Sequence, residues 1–351
     1  MNSNYDAILS ANEDTRSGLF TATALRLGTT PQNVEKDFWV CWTLDALFNG
    51  LPEGPRLLFK GGTSLSKGFG LIRRFSEDID VTVFRDDLGE AASIGELQAL
   101  SRKKREAALD AIKAACEVYI NGPLLEQLSA IAAATAERTG LPADRLRIVP
   151  HDGDSQTLLV YYPTATPADG YIDKAVKIES GAKSALDPNS AHSIRPYVDE
   201  DAPDLDLAVP NVTIVDAERT FWDKVVILHG LRSWFDIRGE LRGGGHRVSR
   251  HYYDIHMLMT SEVGEKALAN PEMGADCVAH ARMFFNRPDF DLASAVAPNF
   301  ALCPEGAMFD DLRRDYSAMS TMIFGAPPDF DAVIESIAAL QSRLNGMHAR
   351  D

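Results

Sequence analysis

Residues 57–84 read LLFKGGTSLSKGFGLIRRFSEDIDVTVF, and the reading of this stretch decides the fold. It begins as an apolar strand (Arg56 to Lys60), breaks at Gly61 and Gly62, runs on as a short helix and returns to a strand over Ile79 to Phe84. Asp78 and Asp80 stand where that second strand starts, although aspartate is a poor strand former and neighbouring like charges repel. Two acids at i and i+2 of a strand project from one face, with Ile79 turned to the core. Divalent cations would offset the repulsion, because Mg²⁺ takes one or two protein carboxylates together with phosphate oxygens. The Gly pair lets the backbone approach a triphosphate, and Thr63, Ser64 and the N–H groups opening the short helix are donors to it. Lys67, Arg73 and Arg74 are candidate counter-charges. Taken singly, a Gly pair is usually a turn and a D-x-D a solvated strand end. Their order gives phosphate chemistry its specificity.

Outward from this stretch, TTPQNVEKDFWVCWTLDALFNG predicts a helix with a Thr cap, Pro in the first turn, an apolar stripe at Val34, Phe38, Cys41, Leu44 and Phe48, and an Asn-Gly stop. Residues 93–139 read as two helices broken at Asn121 to Pro123, followed by strands in LRIVP, TLLVYYP and YIDKAVKIES. The Pro- and Asp-rich residues 187–210 read as a linker, followed by the short strand NVTIV. The helix DAERTFWDKVVILHGLR follows, with Asp216 as its cap; GELRGGG is a loop, and the remainder is helical. In that helix Phe221, Val225 and Leu228 form a core face, and Lys224 beside it must snorkel or meet an anion.

The bulk numbers bound the function. With 45% hydrophobic and 25% charged residues, the 351-residue chain has the profile of a globular protein with one large domain or two. It has no apolar run of bilayer length, and MNSNYDAILSANEDTRSG lacks the regions of a signal peptide, so the cytoplasm is the expected location and no membrane partner is expected. Cys41, Cys116, Cys277 and Cys303 have no paired spacing and are read as reduced thiols. A net charge of −16 opposes broad binding to nucleic acid and leaves room only for a local basic face, at residues 102–105 or 232–250. Walker, Rossmann, nucleophile-elbow and H-E-x-x-H motifs are absent.

The Gly-Gly turn followed by D-x-D on a strand resembles the signature of the nucleotidyltransferase superfamily related to DNA polymerase β, with slightly longer spacing. VEKDFWV, FKGGTSLSKGFGLIRRFSEDIDV, VKIESGAKS, ERTFWDKVVILHG and RHYYDIHML, in this order, resemble the AbiEii/AbiGii toxin family, which includes the MenT nucleotidyltransferase toxins. The resemblance implies an α+β fold: a polymerase β-like mixed sheet with flanking helices, then a mainly helical C-terminal region. The expected division is a nucleotidyltransferase domain with N-terminal helices over residues 1–210. A helical domain over 211–351 is expected to contribute Lys224 and Asp254 to the cleft.

The resemblance also assigns roles. Asp78 and Asp80 become the carboxylates for Mg²⁺ or Mn²⁺, Glu179 a third acid on a later strand, and Lys224 and Asp254 further active-site residues. Gly61, Gly62, Thr63, Ser64, Lys67 and Lys177 are the nucleotide-binding set, with Lys183 a weaker candidate. Asp254 stands four residues after Arg250, so an ion pair between them is the structural alternative. His229, His251 and His256 are read as packing or surface residues, as are Tyr252 and Tyr253 unless a base stacks on them. Ser76, two residues before Asp78, is a candidate regulatory phosphorylation site on position alone. The expected activity is transfer of NMP from an NTP to RNA, at the tRNA 3′ end, by a toxin of a type IV-like toxin–antitoxin or phage-defence system with an antitoxin encoded nearby. The alternatives are a nucleotidyltransferase acting on a protein or small molecule, and a nucleotide-binding module without turnover.

Overall fold

The computed structural model describes residues 1–167 and 175–346. Residues 171–174, the start of the expected strand YIDKAVKIES, lie outside the described residues. The chain forms two compact units, one of residues 1–70 and 75–215, the other of residues 71–74 and 216–351.

The first unit contains helices α1 (Asn4–Leu9), α2 (Glu13–Leu27), α3 (Pro31–Asp45), α4 (Gly61–Lys67), α5 (Ile94–Ala99), α6 (Arg102–Tyr119) and α7 (Leu125–Thr139). Its strands are β1 (Leu57–Lys60), β2 (Asp78–Val83), β3 (Arg147–His151), β4 (Asp154–Tyr161), β5 (Ala175–Gly181), β6 (Asn189–Ile194) and β7 (Val209–Val215). Among the described residues they form one seven-stranded sheet in the order β3-β4-β5-β2-β1-β7-β6. The sheet is mixed: β2 runs parallel to β5 and antiparallel to β1, and β1 runs parallel to β7. The short, apolar β2 therefore lies in the middle of the sheet, which explains why Ile79, Val81 and Val83 are fully buried.

Helix α3 starts as its sequence predicts, with the Thr30 side chain accepting from the Asn33 N–H and Pro31 in the first turn. Its surroundings differ from the amphipathic reading. Residues 33–45 are all buried, and Trp39 stacks on Tyr162 with ring centroids 5.1 Å apart, so α3 is a central helix covered all round. The break expected at Asn121 to Pro123 is a π-helical turn over Ile120–Leu124 that joins α6 to α7 without a loop. The expected linker at 187–210 contains β6, which pairs antiparallel with β7 from Asn189↔Val215 to Ile194↔Val209. Its Ser, Ala and His residues hid an edge strand, half exposed and poor in the usual strand formers.

The second unit is helical: α8 (Ala217–Arg238), α9 (Ser249–Met259), α10 (Glu262–Leu268), α11 (Pro271–Phe284), α12 (Ala307–Met319) and α13 (Phe330–Gly346). Phe221, Val225 and Leu228 are its buried face on α8, as their spacing implies, and Tyr252, Tyr253, Ile255 and Leu258 of α9 are buried with no exposed surface. Residues 71–74 belong to this unit, where Arg74 bridges to Ile323 and the Phe324 N–H donates to the Arg73 carbonyl at 2.7 Å. The expected class, a mixed sheet with flanking helices followed by a mainly helical region, is the observed one. No described helix is long and apolar enough to cross a membrane.

Candidate active site

Strand pairing brings the predicted residues of the first unit together. Across β2 and β5, Asp78 is paired with Lys177 and Asp80 with Glu179; across β2 and β1, Asp80 is paired with Lys60. Paired residues on adjacent strands project from one face about 5 Å apart. Lys60, Asp80 and Glu179 thus form one row, with Asp78 and Lys177 in the next. Lys60 was not among the residues singled out from the sequence; its signal was its place at the strand end opposite an acid, and its ammonium lies 3.9 Å from Asp80 Oδ1.

The turn before α4 is shaped around Asp80. Gly61 has φ +83°, and a Cβ there would lie 2.2 Å from Asp80 Oδ2, so glycine is required on both counts. The hydroxyls of the turn face inward. Thr63 donates to the Asp78 carbonyl at 2.5 Å and lies 2.7 Å from Ser76 Oγ, while Ser64 donates to the Gly61 carbonyl at 2.9 Å. Both side chains are buried; Thr63 ties the turn to β2, and Ser64 closes the turn on itself. Ser76 is a member of this bracing network. Lys67, expected as a counter-charge to phosphate, is likewise internal. Its ammonium is 2.5 Å from Asp37 and 3.7 Å from the Tyr197 ring centroid, with 3% of the side chain exposed. Burial alone would lower its pKa, but Asp37 outweighs burial and holds it above the usual ammonium range.

Electrostatics single out Asp78. Burial first, then the neighbouring charges of Glu77 and Glu179, push its pKa up to about 6, while Lys36 and Lys177 pull it down. Lys36, on α3, and Glu77, just before β2, form an ion pair of 2.8 Å. Neither was given a role from the sequence, where the signal was a run of three charges, Glu35-Lys36-Asp37, inside an apolar helix. That turn of α3 anchors four segments: Glu35 accepts from the Ala165 and Thr166 N–H groups, Lys36 holds Glu77, and Asp37 holds Lys67 and accepts from the Tyr197 N–H. Lys177 is paired with Glu179, both partly exposed.

The donor set fits a divalent cation. Asp78 and Asp80 give hard oxygen ligands on one face, and a bound cation would relieve the charge that raises the Asp78 pKa. Mg²⁺ takes one or two protein carboxylates together with phosphate oxygens, and Asp78 and Asp80 would supply the carboxylates.

In the second unit Asp254, fully buried, accepts from Arg74 through both oxygens at 2.8 and 2.9 Å and pairs with Lys224 at 2.8 Å. The expected alternative partner, Arg250, is not the one that binds it. Burial would raise the Asp254 pKa, but Arg74 and then Lys224 outweigh this and hold it well below the usual carboxylate range. Burial lowers the pKa of Lys224, and the nearby Arg74 lowers it further against the pull of Asp254. Arg74, expected as a counter-charge to phosphate, is committed to this cluster. His251 is held neutral by burial and by the positive charges of Lys224 and Arg250. In the expected basic face at residues 232–250, Arg232 pairs with Asp236 and Glu305, and Arg238 with Asp289.

Comparison with known proteins agrees with the motif reading. A family profile described as nucleotidyl transferase AbiEii toxin, type IV toxin–antitoxin system, matches residues 42–336. No curated protein sequence matches. Among solved structures the chain is similar to MenT4, a nucleotidyltransferase toxin from Mycobacterium tuberculosis H37Rv, with 15% identity and a TM-score of 0.42 over 92% of this chain and 98% of that one. The profile covers most of the chain, including the D-x-D strand and the helices carrying Lys224 and Asp254, and the resemblance read from the motifs is borne out. The chain belongs to the AbiEii family of nucleotidyl transferase toxins of type IV toxin–antitoxin systems.

Proposed function

We propose that this nucleotidyltransferase transfers NMP from an NTP to an RNA acceptor, the 3′ end of tRNA, using Asp78 and Asp80 to hold Mg²⁺ or Mn²⁺. The observation that carries the reading is the close fit of the Gly61 turn to the Asp80 carboxylate, which leaves backbone rather than side chain next to the acids. When bound, the cation would polarise the phosphate oxygens and neutralise charge developing on the leaving pyrophosphate. The chain's own contribution is positioning. Gly61 and Gly62 admit the triphosphate to the backbone N–H groups, while Lys60 and Lys177 are the part-exposed cations beside the acids. Thr63 and Ser64 hold the turn rigid. The acceptor hydroxyl forms its new O–P bond at the α-phosphorus in line with the bond to pyrophosphate, which breaks; fixing this geometry accounts for most of the acceleration. Lys224 and Asp254 are proposed to act in the same reaction, and an antitoxin partner follows from the family.

The test is incubation of the purified chain with Mg²⁺, total tRNA and each α-labelled NTP in turn, beside an Asp80→Ala control. Label on tRNA that the control lacks is the expected result. Label on protein would reassign the acceptor, a reading favoured by the neutralised arginines at 232 and 238. Label nowhere, with NTP still bound, would make the chain a binding module.

A further inference from the structure

The lysines beside the D-x-D strand divide by their partners. Lys36 is paired with Glu77 and Lys67 with Asp37, both lysines buried, and Lys177 is paired with Glu179. Lys60 is different: the acid it faces is Asp80 itself, with the ammonium 3.9 Å from Oδ1. The backbone sets this, because Lys60 is the residue of β1 paired with Asp80 of β2, and paired residues project from one face. Gly61, next in the chain, fits against the other carboxylate oxygen, Oδ2, so consecutive residues of one turn face Asp80. The separation of 3.9 Å is too long for a hydrogen bond, and the Lys60 and Asp80 side chains are 30% and 31% exposed. So loose and exposed a pair keeps the ammonium at the site without fixing it, and the flexible lysine stem lets it swing to a new anion at little cost.

A divalent cation held by Asp80 puts like charge within about 4 Å of this ammonium, where repulsion is strong even at the dielectric of a protein surface. Lys60 therefore opposes the free cation. A triphosphate reverses the sign: it brings negative charge beside the cation, and the ammonium that was repelled is drawn to a phosphate oxygen. We propose that Lys60 is a substrate-binding residue that makes the site take the divalent cation together with the nucleotide rather than alone. It competes with the free cation for Asp80 and turns to the triphosphate when the two arrive together. The proposal rests on the metal-dependent reading above and adds to it the form in which the metal is selected. By linkage, nucleotide and cation strengthen each other's binding by one common factor, and Lys60 supplies part of it. Lys177 does not duplicate this role, because its ammonium is held by Glu179 rather than by Asp80.

The test compares two affinities of the full chain. Mn²⁺ alone is titrated and followed by electron paramagnetic resonance. The Mn²⁺ complex of each α,β-methylene NTP, which cannot release pyrophosphate, is titrated by calorimetry with Mn²⁺ in excess over nucleotide. Lys60→Met is expected to bind Mn²⁺ alone about fivefold more tightly and the Mn²⁺–nucleotide complex about tenfold more weakly. Lys60→Arg keeps the charge and is expected to stay close to wild type in both. The opposite signs are the signature, and any other pattern overturns the proposal. Both affinities weakened would mean that Lys60 only shapes the turn. Both tightened would mean that removing any positive charge favours the cation, with no contact to the triphosphate. Should Lys60→Met fail to fold, Lys60→Gln is read by the same rule. If neither Mn²⁺ nor its nucleotide complex binds in a manner lost in Asp80→Ala, the metal-dependent reading falls and the proposal with it. Asp80-dependent binding left unchanged by Lys60→Met overturns the proposal alone.

Discussion

At the scale of single residues, Asp78 is where cost and use meet. Its folded pKa of about 6 is raised above the ordinary carboxylate value of 3.8, first by burial and then by Glu77 and Glu179. For a raised acid, the native state binds the proton more tightly than the unfolded chain. Its stabilising contribution is therefore full below about pH 4 and is lost as pH rises through 6. Asp78→Asn removes the ionisation and is expected to stabilise the metal-free protein at pH 7.5 by on the order of 2 kcal/mol, allowing for partial solvent screening. At pH 4 the effect is expected to vanish. Urea unfolding in EDTA at both pH values checks this, and equal stabilisation at both would show that charge is not the cause. Asp78 and Asp80 were legible from the sequence because alternation along a strand follows from backbone geometry alone. Lys60 was not, because its meaning depends on which residue the neighbouring strand places opposite it.

At the scale of elements, the central fact is the turn Glu35-Lys36-Asp37 of α3. The cap, the proline and the apolar positions of this helix were readable. That its polar face is also buried was not, because the residues covering it come from segments up to about position 200. The three charges that the periodicity assigns to a solvated face instead tie down the segments that surround the D-x-D strand. The burial of Lys67 was hidden for the same reason: at the end of a short helix it reads as an exposed cation, and its partner Asp37 lies 30 positions earlier. Lys67→Met leaves Asp37 buried without its cation and is expected to cost about 3–5 kcal/mol. Lys67→Met/Asp37→Leu is expected to recover most of that. Chemical denaturation of the two variants tests the pair, and a Lys67→Met protein of unchanged stability would return Lys67 to the list of ligand-binding candidates.

At the scale of the whole molecule, the sequence yielded the class, a mixed sheet followed by helices, because strand and helix periods differ throughout. Its net charge of −16 was also informative. Pairing of Arg232 and Arg238 with acids shows that local basic runs in such a chain cannot be taken as free positive surface. The second unit takes Leu71–Arg74 from within the first unit's stretch of sequence, and with them Arg74, which binds both oxygens of buried Asp254. A fragment of residues 216–351 is expected to be unstable, because Asp254 loses its bidentate partner. Circular dichroism of that fragment, with and without a fused 71–74 segment, measures the debt, and a cooperatively folding bare fragment would refute it.

The same discontinuity bears on ancestry. A module whose wall includes four residues from the middle of another cannot be gained, lost or exchanged by a single crossover. Recombination between homologous toxins at the boundary near residue 215 would pair an Arg74 from one parent with an Asp254 from the other. Hybrid toxins should therefore fold only where that pair is matched.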